Sequence, residues 1–187
     1  MGKRAKKPET YLFPVPVVLV TCVDKAGKPN IITIAWTGVV NSEPPMVSVS
    51  IRPSRYSYKL VKETGEFVIN IPTAEQAFVT DWCGVVSGRD HDKFGTGKLT
   101  AEPASVVKAP LIRECPVNLE CVVRESRLLG THEMFIAEVV KAHFDESVLD
   151  DKGRLDFEKI HPWAYCEGLY FKFTEQIGSY GFSKKAR

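Results

Sequence analysis

At 187 residues and 20.9 kDa, with 44% hydrophobic and 26% charged residues, the chain has the size and composition of one globular domain, expected to span residues 1–187 with its core at about 11–182, and disorder and fibrous repeats are excluded. The longest apolar run, residues 15–23, contains Pro16 and Thr21 and falls well short of the ~20 residues of a membrane helix, so no membrane partner is expected. The formal charge of +2 rests on seven basic residues in the two tails (Lys3, Arg4, Lys6, Lys7, Lys184, Lys185 and Arg187); the other 18 face 23 acidic residues, which argues against nucleic acid as a partner.

In chain order, residues 17–23 form a continuous β-branched run, 24–29 supply turn chemistry, and 30–36 form a second β-type run, so a hairpin is predicted. Residues 37–45, with Gly38, Asn41, Ser42 and Pro44-Pro45, are expected as a loop. Residues 46–52 alternate: Val47, Val49 and Ile51 take one face, and Met46, Ser48, Ser50 and Arg52 the other. After Pro53, Ser54 is expected to open a short helix through Tyr58, Leu60 and Val61 that stops at Gly65. A strand is predicted at 66–71. Thr73 and Gln76 then form a capping box that starts a helix expected to carry Phe78, Trp82 and Val85 inward.

Residues 87–109 are polar and irregular. Two longer strands follow, at 115–124 and 132–144, the second apolar on both faces, as expected of a strand covered by helices, a partner subunit or a flat ligand. A turn at 150–153 and a last strand within 168–173 complete the pattern. Many short strands, two short helices and no βαβ rhythm predict a mainly β fold, a Greek-key β-barrel with helical inserts.

Five cysteines without a C-x-x-C pair, and no signal-peptide pattern, predict a reduced, cytoplasmic protein with structural thiols. Cys115 and Cys121 fall on one face of the same predicted strand, about 20 Å apart, and cannot pair within it. There is no G-x-G-x-x-G after a strand, the stretch at 95–99 fails P-loop spacing, and H-E-x-x-H is absent. The four histidines lie in separate segments without ligand spacing, so no metal is expected. Trp36, Trp82 and Trp163 read as core or interface anchors.

One segment does suggest chemistry. Ser50 and Arg52 project from one face at the end of a strand, and Ser54, Arg55 and Ser57 cluster at the start of the next helix. Hydroxyls, guanidinium groups and free N–H groups of a helix start suit a dianionic phosphate; the alternative is an ordinary N-cap beside solvated arginines. The small residues and amides of 37–45 would suit the polar edge of a flat heterocycle.

Residues 30–45, then Ser48-Val49-Ser50-Ile51-Arg52-Pro53, then Thr64-Gly65-Glu66-Phe67-Val68-Ile69-Asn70, are similar in order and spacing to a known family. The similarity continues through Asp92-Lys93-Phe94, through residues 130–139, and through Gly168-Leu169-Tyr170. The chain thereby resembles the flavin reductase-like, FMN-binding split β-barrel family, which includes the flavoredoxins. The resemblance implies a homodimer with FMN near the subunit interface, acting as an NAD(P)H-dependent flavin or ferric reductase, or as an electron carrier serving a redox protein partner. It also implies that Thr37, Gly38, Asn41 and Ser42 line the isoalloxazine, and that Ser50, Arg52 and Ser57 hold the ribityl phosphate, with Lys93 as a second phosphate contact. His132 would lie on the nicotinamide side, preceded by Thr131 where reductase members usually carry Asp. No protein side chain is expected as catalyst, since the flavin would carry the chemistry. An OB-like binding barrel without flavin is the remaining alternative.

Overall fold

In the computed structural model, which describes residues 2–185, the β-branched run becomes β1 (Val18–Val23), buried along its whole length. Asp24 turns the chain by accepting from the N–H groups of Ala26 and Lys28. β2 (Pro29–Ile34) returns antiparallel, with Ile34 opposite Val18.

The next segment corrects the sequence reading. Residues expected as a loop hold β3 (Thr37–Asn41), which pairs antiparallel with β4 (Met46–Ile51). The strand propensity of Thr37, Val39 and Val40 prevails there, and turn chemistry occupies only residues 42–45.

Helix α1 (Tyr56–Thr64) starts one residue later than expected: Arg55, not Ser54, occupies the N-cap, without a side-chain cap bond. Gly65 closes the helix at φ +69°, returning its N–H to the Val61 carbonyl. β5 (Glu66–Ile71) follows. The Thr73–Gln76 capping box opens a 3-10 turn that runs into α2 (Ala77–Val85). Phe78 and Val85, expected inward, are 86% and 68% exposed, while Thr80 and Cys83 are buried. The sheet meets the side of α2 that carries Thr80 and Cys83, which leaves Phe78 and Val85 facing outward.

α3 (Lys93–Gly97) is capped by Asp92, which accepts from the Phe94 and Gly95 N–H groups. A short pair, β6 (Ala101–Glu102) and β7 (Leu111–Ile112), precedes the long hairpin of β8 (Val117–Leu129) and β9 (His132–Phe144). The strand expected from residue 115 therefore begins later and runs further. Cys115 lies ahead of it in a turn, its N–H bonded to the Ile112 carbonyl. Beyond α4 (Phe157–Ile160), β10 (Trp163–Cys166) and β11 (Leu169–Lys172) form a separate hairpin. No helix among the described residues is long and apolar enough to cross a membrane.

Seven strands form one antiparallel sheet in the order β2-β1-β5-β8-β9-β4-β3. It curls into a split barrel whose core joins Val20, Ile32, Val49, Phe67 and Phe135 from five strands. Ala35 and Trp36 carry the chain from one edge of this sheet to the other: β2 pairs with β1, and after the bend β3 pairs with β4. The Ser50 N–H donates to the Trp36 carbonyl at 2.9 Å and pins the bend. On the near side of that bond β2 and β4 part, and the outer edge of β2 has no strand neighbour.

A buried polar network anchors the irregular segment to the barrel. Asn70 donates to the Leu19 carbonyl at 3.0 Å and accepts from the Ile112 N–H at 2.9 Å and the Asn118 amide at 2.8 Å. Glu120, fully buried, accepts from the N–H groups of Ser105, Val106 and Val107 and contacts His143 at 2.6 Å. Desolvation raises its pKa, but His143 and the three N–H donors outweigh that and bring it down to about 2. Because the folded value lies below the ordinary 4.5, the stabilisation is full above the unfolded value and is lost as pH falls towards the folded one. Glu120→Ala is expected to cost roughly 3 kcal/mol or more in chemical denaturation at pH 7. The gap to wild type should narrow as pH drops from 4.5 towards 2. A loss below ~1 kcal/mol would show that the carboxylate does not anchor this segment.

Candidate functional site

Where β2 and β4 part, a cleft opens. One wall is the end of β2 with the bend that follows it, residues 32–36; the other is Ser50, Ile51 and Arg52, with His132 at the start of β9. An edge strand presents alternate N–H and C=O groups outward, so this wall is a row of backbone donors and acceptors beside a narrow space. Arg52 projects at the end of β4, and His132 shares a hydrogen bond with the Thr131 hydroxyl at 2.9 Å. Burial, and then the Arg52 charge, hold His132 below its usual 6.5, so the imidazole is neutral at pH 7.

The cleft continues past Arg55 and Ile32, which border both spaces, into a polar pocket at the N-terminus of α1. Ser54, Tyr56 and Ser57 form one side of this pocket, and the turn after α2, with Ser87, Gly88 and Arg89, forms another. The Tyr56 and Ser57 N–H groups, first in the helix, precede any intrahelical acceptor, and no acid lies in the first turn. Ser57 is buried and its hydroxyl accepts from the Asn30 amide at 2.7 Å. Gly88 is required there, because a Cβ would sit 1.8 Å from Asn30 Oδ1.

Lys93, only 4% exposed, closes the pocket from below. Its ammonium donates to the carbonyls of Ile31 at 2.8 Å and Cys83 at 2.6 Å, which leaves one of its three N–H groups free. Burial pulls its pKa below the usual lysine value, and Arg55 adds to the effect. A bound anion would relieve both. Arg52, Arg55, Arg89 and Lys93 thus line the two connected spaces, and no carboxylate does. None of the four enters an ion pair among the described residues.

Helix α1 is held in place by Glu133, which accepts from the Tyr58 hydroxyl at 2.6 Å and pairs with Lys62 in the last turn. Lys62 first, and Tyr58 second, bring its carboxyl down to about 2, so the clamp is charged across the working pH range. Burial pushes the Cys22 thiol to about 12 and Cys83 to about 11, and neither supplies a thiolate at neutral pH. No cluster of His, Cys, Asp and Glu suited to a metal ion occurs among the described residues.

Comparison with known proteins agrees with this geometry. A family model described as the flavin reductase like domain matches residues 10–174. The chain belongs to the flavin reductase-like family. The flavoredoxin of Desulfovibrio vulgaris (Miyazaki F) superposes with a TM-score of 0.91 at 31% identity, covering 98% of this chain and 100% of that one. A flavoredoxin from Methanosarcina acetivorans gives 0.89 at 30% identity, with 99% of each chain covered. An uncharacterised protein of Archaeoglobus fulgidus is 33% identical over 167 residues, 89% of this chain and 93% of its own.

Of the site residues expected from the sequence and from likeness to the flavin reductase-like family, Ser50, Arg52, Ser57 and Lys93 border the connected spaces. Thr37 and Gly38 follow the bend on β3, where the Thr37 hydroxyl donates to the Ser48 carbonyl at 2.7 Å, and line neither space. Asn41 and Ser42 lie at the far end of the β3–β4 hairpin, and the Asn41 amide is engaged by the Pro44 carbonyl. Trp36, expected as an anchor, is 38% exposed on the cleft wall. Sequence reasoning missed the edge of β2, Asn30, and the 87–89 turn. Gly88 was the one available signal, and its demand is visible only once Asn30 is opposite it.

Gly88→Ala is expected to push Asn30 off Ser57, to weaken binding of a phosphate monoester about tenfold, measured by calorimetry, and to lower the melting temperature by the few degrees that a lost buried hydrogen bond costs. Equal affinity would remove the turn from the site.

Proposed function

We propose that the chain binds FMN and acts as a flavin-dependent oxidoreductase that draws electrons from NADH or NADPH. The observation that carries this reading is the unpaired group of four cations at a helix start, free of carboxylates, beside an unpartnered strand edge. A dianionic phosphate fits the first part: N–H groups of Tyr56 and Ser57, the Arg55 guanidinium and the remaining Lys93 N–H are donors without acceptors there. A flat heterocycle with a carbonyl edge fits the second, because the unpaired edge of β2 at residues 32–34 presents alternate backbone donors and acceptors to the cleft.

FMN would supply the redox chemistry when bound. The chain's part is to hold and orient it. Arg52 stands beside the cleft as a fixed positive charge that favours added negative charge on the ring. His132, neutral and next to Arg52, is placed to contact the nicotinamide side. This assignment gives ring contacts to the β2 edge and Ser50, with Thr37 and Gly38 flanking, and uses neither Asn41 nor Ser42. We further propose a homodimer, consistent with apolar side chains such as Leu12, Val39 and Phe171 standing exposed at 87%, 80% and 51%.

A second reading, an electron carrier without efficient nicotinamide oxidation, is favoured by the likeness to two flavoredoxins along nearly the whole chain. Purified protein mixed with FMN and desalted should stay yellow, and anaerobic NADH or NADPH should then bleach it. A colourless product removes both readings, and bleaching by dithionite alone selects the carrier. Arg52→Ala and Arg55→Ala should each weaken FMN retention by roughly 1.5–3 kcal/mol. Unchanged retention in both would take the flavin elsewhere.

A further inference from the structure

Positive charge in this chain is segregated. Lys3, Arg4, Lys6 and Lys7 are all exposed, and none of them enters an ion pair among the described residues. Outside the two basic tails, 18 basic residues face 23 acidic ones. The N-terminal arm that carries the four cations is tethered. Val15 and Tyr165 of β10 exchange N–H to carbonyl bonds of 3.0 Å, which fasten the arm to the β10–β11 hairpin. Ahead of that bridge, residues 9–13 line a hollow together with Trp36, which also walls the cleft. Lys7 is two residues from Glu9, a reach of about 7 Å at most, so the cations stand close to the mouth of the site.

The carboxylates that line the hollow are Glu9 and Glu167. They are outnumbered by the arm's four cations together with Arg52, Arg55 and Arg89 of the linked cleft and pocket. An anionic surface is therefore drawn to the arm and the site mouth, while the acidic remainder of the chain repels it from other faces. That asymmetry selects the shape of the partner. A nucleic-acid duplex or an anionic membrane is extended, and its approach would set the acidic body against it as well. A small acidic protein touches the arm and the site mouth alone. Repulsion elsewhere then fixes its orientation as well as its position.

We propose that the basic N-terminal arm docks a small acidic electron-transfer protein against the mouth of the cleft. The proposal rests on the flavin reading for the partner's redox role, while docking is testable without flavin. A plant-type ferredoxin serves as the probe, titrated into the flavin-free chain by calorimetry. It should bind saturably at about 0.05 M salt and at least about tenfold more weakly at about 0.3 M. Cytochrome c, a basic redox protein of similar size, should not bind. Lys6→Ala/Lys7→Ala should weaken ferredoxin about tenfold. Lys25→Ala/Lys28→Ala removes the same charge from the exposed β1–β2 turn and should change binding by less than about twofold. FMN retention should be unchanged in both double variants. Absence of saturable ferredoxin binding, or equal effects of the two double variants, would overturn the proposal. So would tighter binding to duplex DNA or to vesicles of phosphatidylcholine and phosphatidylserine. Ferredoxin binding by a chain that does not retain FMN would leave the docking surface standing and remove the flavin reading; FMN retention without ferredoxin binding would do the reverse.

Discussion

The fold turns on two residues, Ala35 and Trp36, and on the hydrogen bond from Ser50 that holds them. A single extended stretch serves both edges of one sheet because it bends there, pairing with β1 before the bend and with β4 after it. A barrel that closed by a full ladder between β2 and β4 would satisfy every edge group and leave nothing for a ligand. Here closure is made by the covalent chain and one backbone bond, so β2 keeps an open edge at the spot where β4 delivers Ser50 and Arg52. The site is therefore a by-product of how the barrel closes, and rigid core strands place it.

Charge gives that opening its chemistry. The folded body is acidic on balance, yet the linked cleft and pocket collect four cations without a carboxylate. Such a group repels itself unless something offsets it. Lys93 is partly compensated by two carbonyls, and the remainder is the capacity of the pocket for an anion. Glu133 and Glu120 show the contrasting use of charge: each is saturated by donors, and each locks one element, α1 in the first case and the 105–107 segment in the second. Saturated charges in this molecule hold structure, and the unsaturated ones gather at the candidate site.

How much of this was legible in the sequence follows from the range of each signal. Alternation at 46–52 identified the inward residues of β4 correctly, because a period of two needs no knowledge of neighbours. That Ser50, Arg52, Arg55 and Ser57 would lie together was legible for the same reason: they are close in sequence, and they line the linked cleft and pocket. The errors arose where a second segment decided the outcome. Val39 and Val40 become strand because β4 lies beside them, and Phe78 and Val85 face outward because the sheet meets the other side of α2. Lys93, one charge in a polar run, gave no hint that Ile31 and Cys83 would bury it. The open edge of β2 was illegible in principle, since an unpartnered strand is a property of the whole sheet.

β3 is also an edge, with Val39 and Val40 bare, and a flat edge of that kind would let copies add one after another without limit. Its pairing with β4 slips between Val39 and Asn41, an irregularity that twists the ribbon just where a newcomer would have to align. The molecule is thus protected against runaway polymerisation by the shape of a short hairpin, with no charged gatekeeper on the strand itself.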